Sequence, residues 1–364
     1  MTVPFVDLRR QAAAISDDLE DGFADVLRRG RFVGGPALER FEAEFAAYCG
    51  AEHAVGVNSG TDAIALALRA HGVGPGDEVV TAANTCVATI TAIVATGATP
   101  VLADADPATW TLDPASAEAT VTPRTKALVP VHLYGQCADL GPLRALATDR
   151  GLVLVEDAAQ AHGALYRGFR PGSVSTAAYS FYPTKNLGAL GDAGAVVTTD
   201  TAVAGELRRL RSHGERAEAR GIALVPGVNS RLDEIQAELL ARKLAHLDAW
   251  NERRRELAAF YRRELADGPV TLPVEAEGRV HAWHLFVVLA ENRDGFRAEL
   301  HGRGVETLVH YPEPIHLQPA YTSLAGDVSL AVSERLCERV VSLPLYPGLT
   351  DAEAEQVAEA VRAA

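Results

Sequence analysis

Lys185 lies in the stretch Ser180-Phe181-Tyr182-Pro183-Thr184-Lys185-Asn186, twenty-eight residues after Asp157. Asp157 follows Glu156 at the end of the apolar run Leu152-Val153-Leu154-Val155. The pair puts an amine and a carboxylate at the ends of two expected strands. A lysine amine can form a Schiff base, and an acid can keep a pyridine nitrogen protonated. Together these are what pyridoxal phosphate chemistry requires. Each residue also has an ordinary alternative. Most lysines are solvated surface charges, and Asp is favoured as a helix N-cap. The surroundings of Lys185 argue for a pocket. It follows the apolar run Ala177–Phe181 and Pro183, and precedes Asn186-Leu187-Gly188-Ala189-Leu190-Gly191-Asp192-Ala193-Gly194. Glycines there allow close backbone approach. A lysine in such a place has a depressed pKa and becomes a usable nucleophile and base.

A ring and a phosphate would need further partners. Gln160, three residues after Asp157, is within reach of the same ligand and can hydrogen-bond a phenolic oxygen. Its alternative is a polar residue satisfied locally. Ala159 has no bulk and can pack flat on a ring. Asn58-Ser59-Gly60-Thr61 stands between a strand and a helix, where backbone N–H groups and the helix dipole favour an anion. Plain helix capping explains that turn equally well. Ser180 can add a hydroxyl.

The elements that must hold these residues follow a strand–helix rhythm. Strands are expected at Ala54–Val57, Glu78–Thr81, Lys126–Val131, Leu152–Val155, Ala177–Phe181 and Ala193–Thr198. Helices are expected from Ser59, over Asn84–Ala95 and from Leu140. This is an α/β sheet with helices on both faces, and Asp157 at a strand's carboxyl end is where such folds bind ligands. The short gap between the last two runs allows an antiparallel pair, so the sheet is expected to be mixed. One amphipathic helix is expected over 11–29. A long, bent helix is expected over Leu232–Leu265 and is taken to join two domains, 1–245 and 246–364. The second reads as a small α+β unit, with an apolar run at Ala282–Val288 and helices from Arg293, Val332 and Ala352.

With 364 residues the chain can bury a sizeable core. Its formal charge of −14 argues against nucleic acid or an anionic membrane as partner. No apolar run approaches the roughly 20 residues of a membrane span. Met1-Thr2-Val3-Pro4-Phe5 shows no secretory pattern, so a cytoplasmic enzyme is expected. Cys49, Cys86, Cys137 and Cys337 match no metal site or disulfide framework.

Several stretches together resemble the DegT/DnrJ/EryC/StrS sugar aminotransferases, a family of fold-type I pyridoxal phosphate enzymes. They are Gly34-Gly35-Pro36 with Leu38-Glu39 and Phe41-Glu42, Asn58-Ser59-Gly60-Thr61-Asp62-Ala63 and Gly76-Asp77-Glu78-Val79. They continue in Val131-His132-Leu133-Tyr134-Gly135-Gln136, Glu156 to Gly163 and Ser180 to Gly194. Gly227 to Gln236, His310-Tyr311-Pro312 and Ser342-Leu343-Pro344 complete the series. The resemblance runs essentially the whole length. It implies a mostly parallel seven-stranded sheet with a smaller C-terminal domain. It also implies roles: Lys185 as Schiff-base lysine and proton carrier, Asp157 on the pyridinium, and Gln160 on the phenolic oxygen. Gly60, Thr61 and Ser180 would hold phosphate. Asn229 would reach the phosphate in a neighbouring subunit, which makes the active unit a homodimer. One position departs: Cys86 stands where many members stack an aromatic residue on the ring, and offers less surface and no π-face.

The resemblance further implies amination of a nucleotide-linked keto-sugar with glutamate or glutamine as donor. The version Glu-Asp-Ala-Ala-Gln-Ala-His-Gly with His310-Tyr311-Pro312 looks most like members acting on dTDP-3-keto-6-deoxyhexoses, in deoxyamino-sugar biosynthesis of the antibiotic type. Tyr182, Tyr311 and Arg220 are candidates for the diphosphate, and His162, His213, His284 and His316 are weaker site candidates. The alternatives are a 4-keto isomer or an inosose as substrate, a sugar dehydratase, or a non-catalytic regulatory homologue. Dehydratase relatives replace the Schiff-base lysine by histidine, which Lys185 argues against.

Overall fold

The computed structural model describes residues 2–216, 219–324, 326 and 328–364, without the side chains of 216, 219 and 220. Seven strands form the main sheet. Across it they run His53–Val57, Gly194–Thr198, Thr176–Ser180, Val153–Asp157, Thr125–Val129, Glu78–Ala82 and Thr99–Ala103. Strand Gly194–Thr198 is antiparallel to both its neighbours, and the other pairs are parallel. The expected mixed sheet of a fold-type I enzyme is therefore present. The strand Thr99–Ala103 escapes pattern reading because it is an edge strand of five residues that contains Pro100.

The sheet is buried on both faces, as parallel sheets generally are. On one side Phe41, Phe45, Tyr179 and Phe181 pack with Leu240 and Leu247. The rings of Phe45 and Phe181 meet edge to face at 5.1 Å, a favoured aromatic arrangement. On the other side Ile64, Leu68, Val79, Val155, Val196 and Leu207 form the core. The helix Pro36–Cys49 begins at a buried carboxylate. Glu234 accepts from the backbone N–H groups of Gly35, Ala37 and Leu38 at 2.8, 3.1 and 2.9 Å. A negative charge there satisfies the orphan donors of the first turn and complements the helix dipole.

Two helix expectations need correction. The segment 11–29 is not one helix. It splits into Leu8–Ala13 and Ser16–Arg29, because Ile15 leaves helical geometry at ψ 28°. The segment Leu232–Leu265 divides into Glu234–Leu244 and Leu247–Glu264. Its halves face different cores. Ala237 and Leu240 join the sheet core, whereas Leu257, Ala258 and Tyr261 join a second cluster with Phe286, Val341 and Val357. A two-stranded antiparallel sheet, Phe286–Leu289 with Val340–Leu343, lies in that second cluster. The helices Arg293–Gly302, Ala331–Arg339 and Asp351–Arg362 follow the expected positions. The N-terminal Val3 is also buried in this C-terminal cluster, bridging to Val305. No helix among the described residues is long and apolar enough to cross a membrane.

Candidate active site

Three strand ends and one helix start meet at a cavity of about 280 Å³. Its walls include Gly60, Thr61, Cys86, Asp157, Ala159, Gln160, Ser180, Tyr182, Lys185 and Tyr311. These ten residues are the sequence-predicted positions that the fold brings together. Asn229 is not among them. It is exposed and makes an isolated bridge with Ser212. Arg220 has its backbone in the strand Ala219–Ala223, and its side chain lies outside the described residues.

The helix Gly60–Ala70 starts at the cavity wall. Ser59 caps it: its hydroxyl accepts from the Asp62 N–H at 3.1 Å, and its carbonyl accepts from Ala63. Among the described residues the N–H groups of Gly60 and Thr61 then have no partner, as at helix starts generally. Close approach dictates glycine here. A Cβ on Gly60 would stand 2.5 Å from the Ser180 Cβ, and one on Gly194 would stand 2.3 Å from the Ser59 carbonyl oxygen. Two backbone N–H groups and the hydroxyls of Thr61 and Ser180 form a neutral donor set suited to a phosphate.

Lys185 sits in a loop that folds tightly on itself. Phe181 and Ala193 keep the pairing of the two strands going beyond their ends at 2.8 Å, and the Ala189 N–H turns back to the Phe181 carbonyl at 2.7 Å. A side chain on Gly188 would collide with the Pro183 carbonyl at 2.3 Å. Asn186 anchors the next residue by donating to Asn251 and the Ala282 carbonyl, both at 2.8 Å. Lys243 donates to the Gly188 carbonyl at 2.8 Å, and burial pulls its amine down to about 8. With the loop fixed, the Lys185 amine is held in a desolvating wall. Burial lowers its pKa, opposed by Cys86 and Asp157.

Asp157 is 4% exposed. Burial raises its pKa, while hydrogen bonds from Thr89 and Ala159 and the charges of Lys185 and His132 pull it back. Thr89 Oγ1 donates to one carboxylate oxygen at 2.8 Å, and the Ala159 N–H donates to the other at 3.1 Å. Thr89 was not foreseen, although a signal existed: Thr85 and Thr89 stand four residues apart, and their hydroxyls meet at 3.0 Å. The Gln160 side chain is oriented at both ends. Its Oε1 accepts from the Tyr134 N–H at 2.6 Å, and its Nε2 donates to the Tyr311 hydroxyl at 3.2 Å. Tyr134 reaches this position at φ 59°, a left-handed backbone that sequence patterns do not reveal. Cys86 precedes the helix Val87–Ala95, which starts three residues later than the expected Asn84. Asn84 is drawn away by donating to the Trp110 carbonyl at 2.8 Å.

The weaker histidine candidates stand apart from this cavity. His162 is buried against the rings of Tyr179 and Phe181, His213 is exposed, and His316 contacts Glu334 at 3.0 Å. His284 lines a second cavity.

A partly desolvated amine, a buried carboxylate with both oxygens fixed, an oriented amide and a neutral phosphate cradle fit pyridoxal phosphate. Comparison with known proteins agrees. The chain is 52% identical over 363 residues to the dTDP-3-amino-3,4,6-trideoxy-alpha-D-glucose transaminase of Streptomyces venezuelae, covering 99% of this chain and 95% of that protein. It is 50% identical over 366 residues to the erythromycin biosynthesis sensory transduction protein EryC1 of Saccharopolyspora erythraea, covering all of both chains. The crystal structure of S. venezuelae DesV in complex with a ketimine intermediate superposes with a TM-score of 0.97 at 52% identity, over 100% of this chain and 98% of that one. The profile of one family matches residues 14–362, so the chain belongs to the DegT/DnrJ/EryC1/StrS aminotransferases, enzymes dependent on pyridoxal phosphate.

Proposed function

We propose that this aminotransferase converts a dTDP-3-keto-6-deoxyhexose to its 3-amino sugar, with glutamate or glutamine as amino donor. The observation that carries the reading is the placement of Lys185 and Asp157 in one cavity with Gly60 and Thr61 at the start of a helix. The substrate class draws on the transaminase at 52% identity, whose named sugar carries its amine at position 3. The cofactor, when bound, supplies the electron sink. Lys185 would hold it covalently and then carry the proton between donor carbon and cofactor, a task suited to an amine of lowered pKa. Asp157 would keep the ring nitrogen protonated, and Gln160 would take the phenolic oxygen. Gly60, Thr61 and Ser180 would take the phosphate, and Ala159 and Cys86 would flank the ring. Tyr182, half exposed at the cavity wall, and Tyr311 would hold the sugar nucleotide, with Arg220.

The active unit in this proposal is a homodimer, Asn229 completing the partner's phosphate site. Support comes from Asn229 lying exposed and outside its own chain's cavity, and from exposed Phe23, Leu27, Phe32, Ile222 and Leu224. Sedimentation of the holoenzyme tests it. The division into 1–245 and 246–364 belongs to the same proposal, supported by the cluster of Leu257, Tyr261, Phe286, Val341 and Val357 that the second segment builds. A cytoplasmic setting is supported by four unpaired cysteines, three of them buried. The resemblance of EryC1's name to a regulator favours a second reading, in which the protein controls expression; gel-shift of operator DNA at physiological salt distinguishes it.

The decisive experiment is stepwise absorbance. Purified protein should be yellow, bleach with glutamate or glutamine, and regain colour with a dTDP-3-keto-6-deoxyhexose, more readily than with the 4-keto isomer or an inosose. Failure of every amino donor to bleach it overturns the proposal.

A further inference from the structure

A second cavity of about 280 Å³ adjoins the first, and Tyr182 belongs to the walls of both. Thr184, next to Lys185 in sequence, also lines it, with Arg254, His284, His310 and apolar residues that include Leu308. Arg254 is 4% exposed. Its Nη1 donates to the carbonyls of Leu345 at 2.8 Å and of Trp283 and His284 at 3.2 Å. Its Nε, itself closed off from solvent, finds no acceptor among the described residues. Among the described residues no carboxylate pairs with it, whereas its neighbours Arg253 and Arg255 each pair with acids. Burial pulls the guanidinium down to about 10, so it stays charged at neutral pH.

The rest of the lining brings no counter-charge. Burial lowers the pKa of His284 well below its ordinary value and brings His310 to about 4, so both imidazoles are neutral near pH 7. Asn186 spends its amide N–H groups on Asn251 and Ala282, and its Oδ1 lies 3.1 Å from His284 Nδ1. His310 Nδ1 lies 2.8 Å from the Ser342 hydroxyl. The cavity is therefore lined by one buried cation, with no carboxylate beside it among the described lining residues. A buried guanidinium without an anion is expensive, and a planar fork matches a carboxylate. Lys185 lies close enough for its charge to depress both histidines, so a ligand here is near the reacting amine.

We infer that Arg254 binds a carboxylate of the amino-acid donor, in this second cavity beside Lys185. The inference rests on the transaminase reading and adds the place where the donor is recognised. The role is positional, since Arg254 anchors a part of the donor remote from the bond that changes.

The test titrates holoenzyme calorimetrically with glutarate, a dicarboxylate without an amine, and with its neutral diamide. Glutarate should bind the wild type and the diamide should not. Arg254→Gln should weaken glutarate roughly 10- to 100-fold, the loss expected for a charged hydrogen bond, with melting temperature and cofactor spectrum as checks on folding. Leu308→Trp, which crowds the cavity from a wall residue other than Arg254, should do the same and decides the matter where Arg254→Gln does not fold. Equal glutarate affinity in either folded variant overturns the inference. So does equal binding of the diamide, or a wild type that an amino acid bleaches but glutarate does not bind. Glutarate binding through Arg254 in a protein that no amino acid bleaches would uphold the site and defeat the transaminase reading.

Discussion

Thr89→Val removes the hydroxyl beside Asp157, with its bonds to Asp157 and to Thr85. Valine matches threonine in shape, so the buried position is neither emptied nor overfilled. What is lost is the hydroxyl that donates to Asp157 at 2.8 Å. Among the described residues Asp157 then keeps the Ala159 N–H at 3.1 Å. A hydrogen bond to a charged group contributes about 1.5–3 kcal/mol, which tilts the balance from carboxylate to carboxylic acid roughly 10- to 100-fold. The sign is fixed by the surroundings. Burial already raises the pKa of Asp157, and Thr89 is the largest opposing influence. Without it the carboxylate takes up its proton at a higher pH as the medium is acidified. The bleaching rate with saturating donor, followed by stopped-flow absorbance against pH, should therefore lose its acid limb earlier in Thr89→Val. Thr89→Ser keeps the hydroxyl and should retain the wild-type profile. An unmoved acid limb in a well-folded Thr89→Val holoenzyme would show that Thr89 does not control the ionisation of Asp157.

Lys185→Ala should abolish turnover while the protein still folds, and borohydride should no longer fix cofactor to the chain by mass; retained turnover removes Lys185 from its role. Gly60→Ala pushes a Cβ to 2.5 Å from Ser180 Cβ and 3.1 Å from its Cα, with no flexible side-chain tip to yield. A loss of about 1–3 kcal/mol is expected, visible as a lower melting temperature and weaker cofactor retention by titration. Glu353 is held down to about 2, chiefly by its hydrogen bond to Arg10, with the Thr350 cap assisting. A depressed carboxyl stabilises the fold above its unfolded pKa and loses that effect as pH falls. Glu353→Gln should thus melt below wild type at pH 7, and the gap should close between the ordinary 4.5 and about 2; a pH-independent gap would mean that charge is not the cause.

Much of this molecule was legible in the sequence because the relevant signals are local. Short continuous apolar runs bounded by turn residues mark strands buried on both faces, and Gly188 answers a contact with nearby Pro183 in its own loop. Lys185, Asp157, Gln160 and the turn before Gly60 could be picked out by type and spacing at strand ends. Other features depend on residues far apart in the chain, which no local pattern can hold. Thr89 meets Asp157 across 68 positions. Tyr134 presents its N–H to Gln160 only through a left-handed backbone. The break at Ala245–His246 reflects a choice between two cores. Arg254 reads in sequence as one arginine in the run Arg253-Arg254-Arg255. Burial among three carbonyls, with no ion pair among the described residues, is what separates it from its neighbours. Sequence thus set the chemistry available at the site, whereas tertiary packing decided which groups are desolvated, which are paired, and which remain charged and unmatched.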